Sequence, residues 1–183
     1  VKSKNLIDSY MNKAAEDTQD DGNFFTKYGS FFIKGIKDTI LISSIGVILG
    51  SILGALIALM KLSKFKPLSW LASIYIEFLR GTPMLVQVFI VFFGTTAALG
   101  LDVSALICGT IALVINSSAY IAEIIRAGIN AVDKGQTEAA RSLGLNYSQT
   151  MKFVVMPQAI KNILPALGNE FVTLIKESSI VST

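Results

Sequence analysis

The amino-acid sequence predicts an all-α membrane protein. Of its 183 residues, 52% are hydrophobic and 16% are charged, whereas soluble domains have about 25% charged residues. The apolar residues occur in long blocks, and a helix needs about 20 apolar residues to cross a bilayer. A basic segment without acidic residues, 61–67, follows the first block. Such a segment is typical of a loop on the cytoplasmic side of a membrane.

The N-terminal region differs from the rest in its polarity. Residues 1–33 are interpreted as a polar tail or linker that leads into an interfacial helix, and residues 34–183 as the membrane domain. Residues 24–38 mix aromatic and lysine side chains, as helices at a membrane surface do; an amphipathic helix packed on protein is the alternative. Because the sequence starts without methionine and ends abruptly, we expect it to be part of a longer protein.

The first transmembrane helix is predicted over residues 39–60, which carry no charge. Small residues recur there every four positions, namely Gly46, Gly50, Gly54 and Ala58. This stripe allows another helix to approach closely. Since the basic segment that follows is placed in the cytoplasm, the helix runs inward and the N-terminal tail lies outside.

The second apolar segment, residues 68–99, is interrupted by polar residues near its middle. Pro83 has no backbone N–H and disfavours a helical conformation of Thr82. We therefore predict an interfacial helix to about Leu79, a bend, and an outward span through Val91. That outward piece is short for a full crossing, so the first piece could also enter the membrane.

A third span is predicted over residues 104–125, running inward, and a fourth over residues 160–175, running outward. Polar groups inside a bilayer are costly unless they face protein or water, so the polar residues of these spans are candidates to line a path. They are Asn116, Tyr120, Glu123, Asn169 and Glu170. Glu123 lies one turn from Arg126, so a structural ion pair is its alternative role.

A polar excursion, residues 130–157, separates the third and fourth spans. Thr137 can cap a short helix, with Glu138 in its positively polarised first turn. Gly144 can take the left-handed conformation that ends a helix. Residues 146–149 resemble a capping box that starts a second helix.

Two short helices joined at a glycine would form a compact knob. Pro157 is expected to end or kink the second helix. Ala139 and Ala140 favour helix and have little bulk, so the first helix could sit deep in a groove of a partner. An ordinary helix–turn–helix linker is the alternative.

A family resemblance is carried by residues 138–157, which read EAARSLGLNYSQTMKFVVMP. They resemble the loop by which permease subunits of ATP-binding-cassette (ABC) importers bind their ATPase. That family's pattern is Glu-Ala-Ala, three residues, Gly, nine residues, then Ile-x-Leu-Pro. Val154 replaces Ile and Met156 replaces Leu, both conservatively. Residues 77–87, EFLRGTPMLVQ, and 119–129, AYIAEIIRAGI, resemble permeases of polar amino acid importers in particular.

The resemblance implies the transmembrane domain of a type I ABC importer, with four spans present of a five-span core. The chain would be a multi-pass protein of a bacterial-type cell membrane. Its residues implied in ATPase docking are Glu138, Ala139, Ala140, Arg141, Gly144, Leu145 and Pro157. The polar residues of the third and fourth spans would line the substrate path. Their acidic groups suit a cationic substrate, and their Asn and Tyr groups suit a zwitterion equally well.

The implied partners are two cytoplasmic ABC ATPase subunits, a second permease subunit in a homo- or heterodimer, an extracellular substrate-binding protein or fused domain, and the lipid bilayer. The chain itself has no phosphate-binding G-x-x-x-x-G-K-[ST] loop. No cofactor is therefore expected in this chain, and ATP and Mg²⁺ would bind the ATPases.

Other function classes are less well supported by the sequence. With no histidine and one cysteine, neither catalytic residues nor a metal site is predicted, which disfavours an intramembrane enzyme. A net charge of +3 gives no reason to expect nucleic acid. An ion-coupled secondary transporter would show inverted repeats, which are not found. A structural membrane protein would not require the capped loop at residues 130–157.

Overall fold

The computed structural model describes residues 24–181, with side chains from residue 28. All regular structure in that range is helical. The chain divides into two units after Asp38. The packing described below lies within the second unit, from Thr39 onward.

Seven α-helices and two π-helical turns follow one another in residues 24–181. The helices are α1 (Phe24–Leu62), α2 (Lys66–Gly81), α3 (Met84–Phe93), α4 (Ala105–Asn130), α5 (Lys134–Ser142), α6 (Tyr147–Thr150) and α7 (Met156–Val181). One π-helical turn, Gly94–Ala98, extends α3, and the other, Met151–Val155, joins α6 to α7.

Helix α1 packs against α4 through its small residues. A Cβ atom added to Gly46 would lie 2.7 Å from Leu113 Cδ2, and one added to Gly54 would lie 2.8 Å from the carbonyl oxygen of Ser118. Ala58 is buried in the same row. The predicted role of the stripe as a close helix contact is confirmed.

The break between α2 and α3 bends the chain by 107°. Thr82 is extended there, with φ −110° and ψ 142°, as Pro83 requires. The predicted end of the outward piece at Val91 is wrong, because helical structure continues to Ala98. The hydroxyl of Thr95 donates to the carbonyl of Val91 at 2.8 Å, a carbonyl that also accepts from the Gly94 amide.

Helix α4 is the centre of the second unit, because α2, α3 and α7 all pack on it. Its Leu113 and Ile121 are fully buried, and so is Cys108. Ser104 caps the helix by accepting a bond from the Ile107 amide.

In the described range, α1 and α4 are long and apolar enough to cross a membrane, and the bent pair α2–α3 adds a third crossing if it counts as one span. The predicted fourth span lies within α7, whose 26 residues are long enough at about 1.5 Å per residue. Four charged residues make α7 less apolar, namely Lys161, Glu170, Lys176 and Glu177. The fourth crossing therefore stays a prediction. The predicted end of the fourth span at residue 175 is not a helix end, since α7 continues to Val181.

Candidate functional sites

The knob is the segment between α4 and α7, which comprises α5, α6 and the Met151–Val155 π-helical turn. It begins with a capped helix. The carboxylate of Asp133 accepts a hydrogen bond from the Gly135 amide at 2.7 Å and caps α5. The predicted cap at Thr137 is wrong, because the N-cap residue is Asp133, one turn earlier in the chain. Glu138 therefore lies in the middle of α5 rather than in its first turn.

The end of α5 is closed by a Schellman motif. Gly144 has φ 84°, and its amide donates to the carbonyl of Arg141 at 3.0 Å. The Leu145 amide donates to the carbonyl of Ala140 at 3.2 Å. These two bonds and the left-handed glycine satisfy carbonyls that a helix end leaves unpaired. The predicted helix end at Gly144 is confirmed.

The second helix of the knob starts with the predicted capping box. The Asn146 side chain accepts from the Gln149 amide, the Gln149 side chain accepts from the Asn146 amide, and both distances are 2.9 Å. Pro157 was expected to end or kink this helix, and the helix end is wrong. Helical structure runs on from α6 through the π-helical turn into α7, where Pro157 is the second residue. The first turn of an α-helix tolerates proline because its amides need no helical acceptor.

The predicted docking residues differ in their exposure. Ala140 is only 5% exposed and lies on the side of α5 that packs against α6 and the π-helical turn. It therefore contacts its own chain rather than an open surface. Leu145 is half-buried. The remaining predicted residues are exposed, and they are Glu138, Ala139, Arg141, Gly144 and Pro157.

Three large apolar side chains of the knob, missed by sequence reasoning, are exposed. Leu143, Tyr147 and Phe153 are 81%, 65% and 63% exposed, respectively. A signal was available, since these residues are apolar positions within an otherwise polar excursion. Contiguous exposed apolar patches mark contact surfaces, whereas single apolar side chains on a surface are normal, so these three side chains make this segment a candidate contact surface.

The polar residues of the spans are partly brought together. A cavity of about 80 Å³ is lined by Asn116, Tyr120, Glu170, Thr173 and Glu177. Three of these were predicted. Thr173 and Glu177 were missed, although their spacing of three and seven positions from Glu170 places them on one helix face.

Two predicted path residues lie elsewhere. The Glu123 carboxylate is held by Arg126, whose Nε donates to Oε2 at 2.9 Å and whose Nη2 donates to Oε1. This is the ion pair that was the alternative role for Glu123. Asn169 is exposed on α7, whereas the adjacent Glu170 is buried.

The cavity carries two carboxyl groups and one nearby cation. The Arg80 guanidinium lies 5.2 Å from the centre of the Tyr120 ring, within the range of a cation–π contact. Within residues 24–181, no group of three or more His, Cys, Asp or Glu residues is placed to hold a metal ion. The arrangement can bind a polar, hydrogen-bond-donating group.

Residues 46–183 match the family model described as the inner membrane component of binding-protein-dependent transport systems. The chain belongs to this family. Members of this permease family are membrane-integral transport subunits rather than enzymes, so a membrane location and a transport role follow for this chain.

Two curated members of the permease family illustrate the similarity. The arginine transport system permease protein ArtQ of Bacillus subtilis is 47% identical over 152 residues, which is 83% of this chain and 69% of that protein. The probable glutamine ABC transporter permease protein GlnM of Bacillus subtilis is also 47% identical over 152 residues, covering 83% of this chain and 70% of that protein.

A solved structure in the permease family shows the same fold. It is the crystal structure of an amino acid ABC transporter with histidines, and it is 52% identical to this chain with a TM-score of 0.82. The similarity covers 86% of this chain and 73% of that one. The predicted fold class, the transmembrane domain of a type I ABC importer, is confirmed.

Proposed function

We propose that this permease serves an ATP-driven importer of a polar amino acid, and that cytoplasmic ATPase subunits dock on the surface formed by residues 138–157. The observation that carries the proposal is the exposed apolar surface of the capped knob. Leu143 and Tyr147, on either side of Gly144, are 81% and 65% exposed. Such groups on a rigid polar segment are expected where a partner covers them.

The knob is suited to transmit movement. Both ends of α5 are capped, and the helical path is unbroken from Tyr147 to Val181. Closure of the ATPases around ATP would displace the knob as a rigid element. Because no loop intervenes, the displacement would reach Glu170 along α7, and rocking of the helices would open the path alternately to each side.

The remaining partners follow from the proposed role. ATP and Mg²⁺ would bind the ATPase subunits and not this chain. A second permease subunit, identical or related, would complete the path. A substrate-binding protein or fused domain outside the cell would deliver the amino acid, as the family description of binding-protein-dependent transport implies.

The proposed orientation places the knob in the cytoplasm and the N-terminal tail outside. The basic residues Lys61, Lys64 and Lys66 lie at the corner between α1 and α2, which puts this corner in the cytoplasm. With the bent pair α2–α3 taken as one span, this pair and then α4 supply two further crossings. An even number of crossings returns the chain to the same side at the knob.

The proposed substrate path includes Asn116, Tyr120 and Glu170, which share the cavity. The curated relatives carry the names of arginine and glutamine permeases, and both of these amino acids are polar. We include neither Glu123, whose carboxylate is paired with Arg126, nor Asn169, which is exposed on α7.

The experiment that tests the proposal is uptake into vesicles containing the whole complex. Labelled arginine and glutamine are offered with ATP inside, and separately with a proton or sodium gradient and no ATP. We expect uptake of at least one amino acid with ATP alone. Uptake that follows the ion gradient and ignores ATP would instead indicate an ion-coupled transporter and would overturn the proposal.

A further inference from the structure

The bend between α2 and α3 leaves a backbone carbonyl without its usual partner. In an α-helix the carbonyl of Leu79 would accept from the amide of residue 83, but Pro83 has no N–H. The side chain of Gln87 replaces that donor, with Nε2 2.8 Å from the Leu79 oxygen. The same Nε2 lies 3.1 Å from the carbonyl oxygen of Thr82 and 2.8 Å from its hydroxyl.

These contacts fix the orientation of the Gln87 amide. Carbonyl oxygens only accept hydrogen bonds, so the NH₂ group must face the bend and Oε1 must face α4. There Oε1 accepts a hydrogen bond from Asn116 Nδ2 at 3.0 Å. Both side chains are buried, with Gln87 5% and Asn116 4% exposed. A buried pair of this kind is costly to break or invert.

The orientation of the Gln87 amide also fixes the orientation of the Asn116 amide. Because its NH₂ group is engaged by Gln87, its carbonyl oxygen Oδ1 is the part of the amide that remains for the cavity. The other cavity groups are also rich in acceptors. Glu170 and Glu177 contribute carboxyl groups, and the Thr173 hydroxyl donates to the carbonyl of Asn169 at 3.2 Å, which leaves its lone pairs for the cavity.

A set of acceptors recognises a donor-rich cation. Cationic and zwitterionic amino acids have one such group in common, the α-ammonium group. We propose that Gln87 is a positioning residue of the substrate path, which holds Asn116 so that Asn116 Oδ1 accepts a hydrogen bond from the α-ammonium group of the transported amino acid. This inference rests on the proposed function.

The test is direct binding to the purified complex of permease and ATPase subunits, without the substrate-binding protein. The probes are arginine and glutamine, each compared with its Nα-acetyl form, which lacks the ammonium group. A hydrogen bond to a charged group contributes about 1.5–3 kcal/mol, or roughly 10- to 150-fold in affinity. We therefore expect Gln87→Leu to weaken binding of the free amino acid by about 10-fold or more, and to change binding of the acetylated form by less than about threefold.

A conservative variant distinguishes a positioning role of Gln87 from a purely structural one. In Gln87→Glu, a protonated carboxyl can donate to the bend and still accept from Asn116, so we expect affinity within about threefold of wild type. Asn116→Leu removes the acceptor directly and should reproduce the selective loss seen with Gln87→Leu, which keeps the test decisive if Gln87→Leu does not assemble.

The outcomes are distinct. Suppose that Gln87→Leu or Asn116→Leu assembles but weakens binding of the free and acetylated amino acids equally, or weakens binding of neither form. The inference is then wrong, while the proposed function stands. If the wild-type complex binds neither arginine nor glutamine, the proposed substrate class fails, and this inference fails with it.

Discussion

Ser117 of α4 donates its hydroxyl to the main-chain carbonyl of Gly46 in α1, at 3.1 Å. A side chain can reach the main chain of a neighbouring helix only where that helix has no side chain in between. One turn further along α1, a Cβ atom added to Gly50 would overlap the same Ser117 hydroxyl. The glycine stripe therefore fixes the distance between α1 and α4.

Enlarging this stripe should damage the permease more than trimming an exposed position of the same helix. We expect Gly50→Leu to destabilise the fold by about 1–3 kcal/mol or more, since it overpacks a close contact. Leu53→Ala, at a position 41% exposed, should cost about 0.5 kcal/mol or less. The thermal unfolding midpoint and the yield of assembled complex are measured for both variants. A normal yield and midpoint for Gly50→Leu would show that α1 and α4 do not meet there.

The orientation predicts which positions an impermeant thiol reagent can reach in intact cells. In a Cys108→Ser background, Asp102→Cys should be labelled, because it lies between the Gly94–Ala98 π-helical turn and α4, which the proposed orientation places outside. Lys64→Cys and Ser148→Cys should be protected until the membrane is opened. All three positions are exposed, so accessibility reports the side of the membrane. Labelling of Lys64→Cys in intact cells would reverse the assigned orientation.

The cavity predicts different effects for two carboxyl groups. Glu170→Gln should weaken binding of arginine by about 10-fold or more, because a charge-assisted contact is lost. Glu123→Gln should leave that affinity within about threefold and should instead lower stability, because Arg126 loses its partner and an unpaired charge is costly. Equilibrium binding and thermal unfolding of the purified complex distinguish the two. Equal losses of affinity would place Glu123 in the path.

The sequence was most informative where structure depends on neighbouring residues. The left-handed Gly144 and the Asn146–Gln149 capping box were predicted because each motif lies within a few positions. Thr137 was predicted as the cap, whereas Asp133 caps α5. Both residue types suit that position, and only the start of α5 decides between them. Pro157 was expected to end or kink the helix, although a proline at the start of α7 is equally compatible with the geometry of a helix.

The sequence was least informative where residues far apart in the chain meet. Gln87 and Asn116 are 29 positions apart, and no local pattern pairs them. Likewise, Glu123 and Glu170 are both acidic residues in apolar segments. Only packing shows that one is held by Arg126 while the other lines the cavity.

The conformation of Gly144 supplies a further test, with Gly100, just after the Gly94–Ala98 π-helical turn, as a matched control. Gly100 and Gly144 both have positive φ, 65° and 84°, so aspartate at either position should cost a similar strain, of order 1–3 kcal/mol. Gly144→Asp also places a negative charge at the C-terminal end of α5. We expect ATP-driven uptake to fall by about 10-fold or more for Gly144→Asp, a penalty of about 1.4 kcal/mol or more, and to persist for Gly100→Asp. Equal ATP-driven uptake by the two variants would show that Gly144 has no special role in coupling.

The docking of the ATPase on the knob is tested most directly by a pull-down with Leu143→Glu. Leu143 is 81% exposed, so the substitution should leave the permease folded and should act only on a partner. The control is Phe65→Glu, at a position 64% exposed in the basic corner outside the knob. We predict that detergent-solubilised Leu143→Glu loses the ATPase while Phe65→Glu retains it. Retention of the ATPase by Leu143→Glu at the wild-type level would contradict docking at this surface.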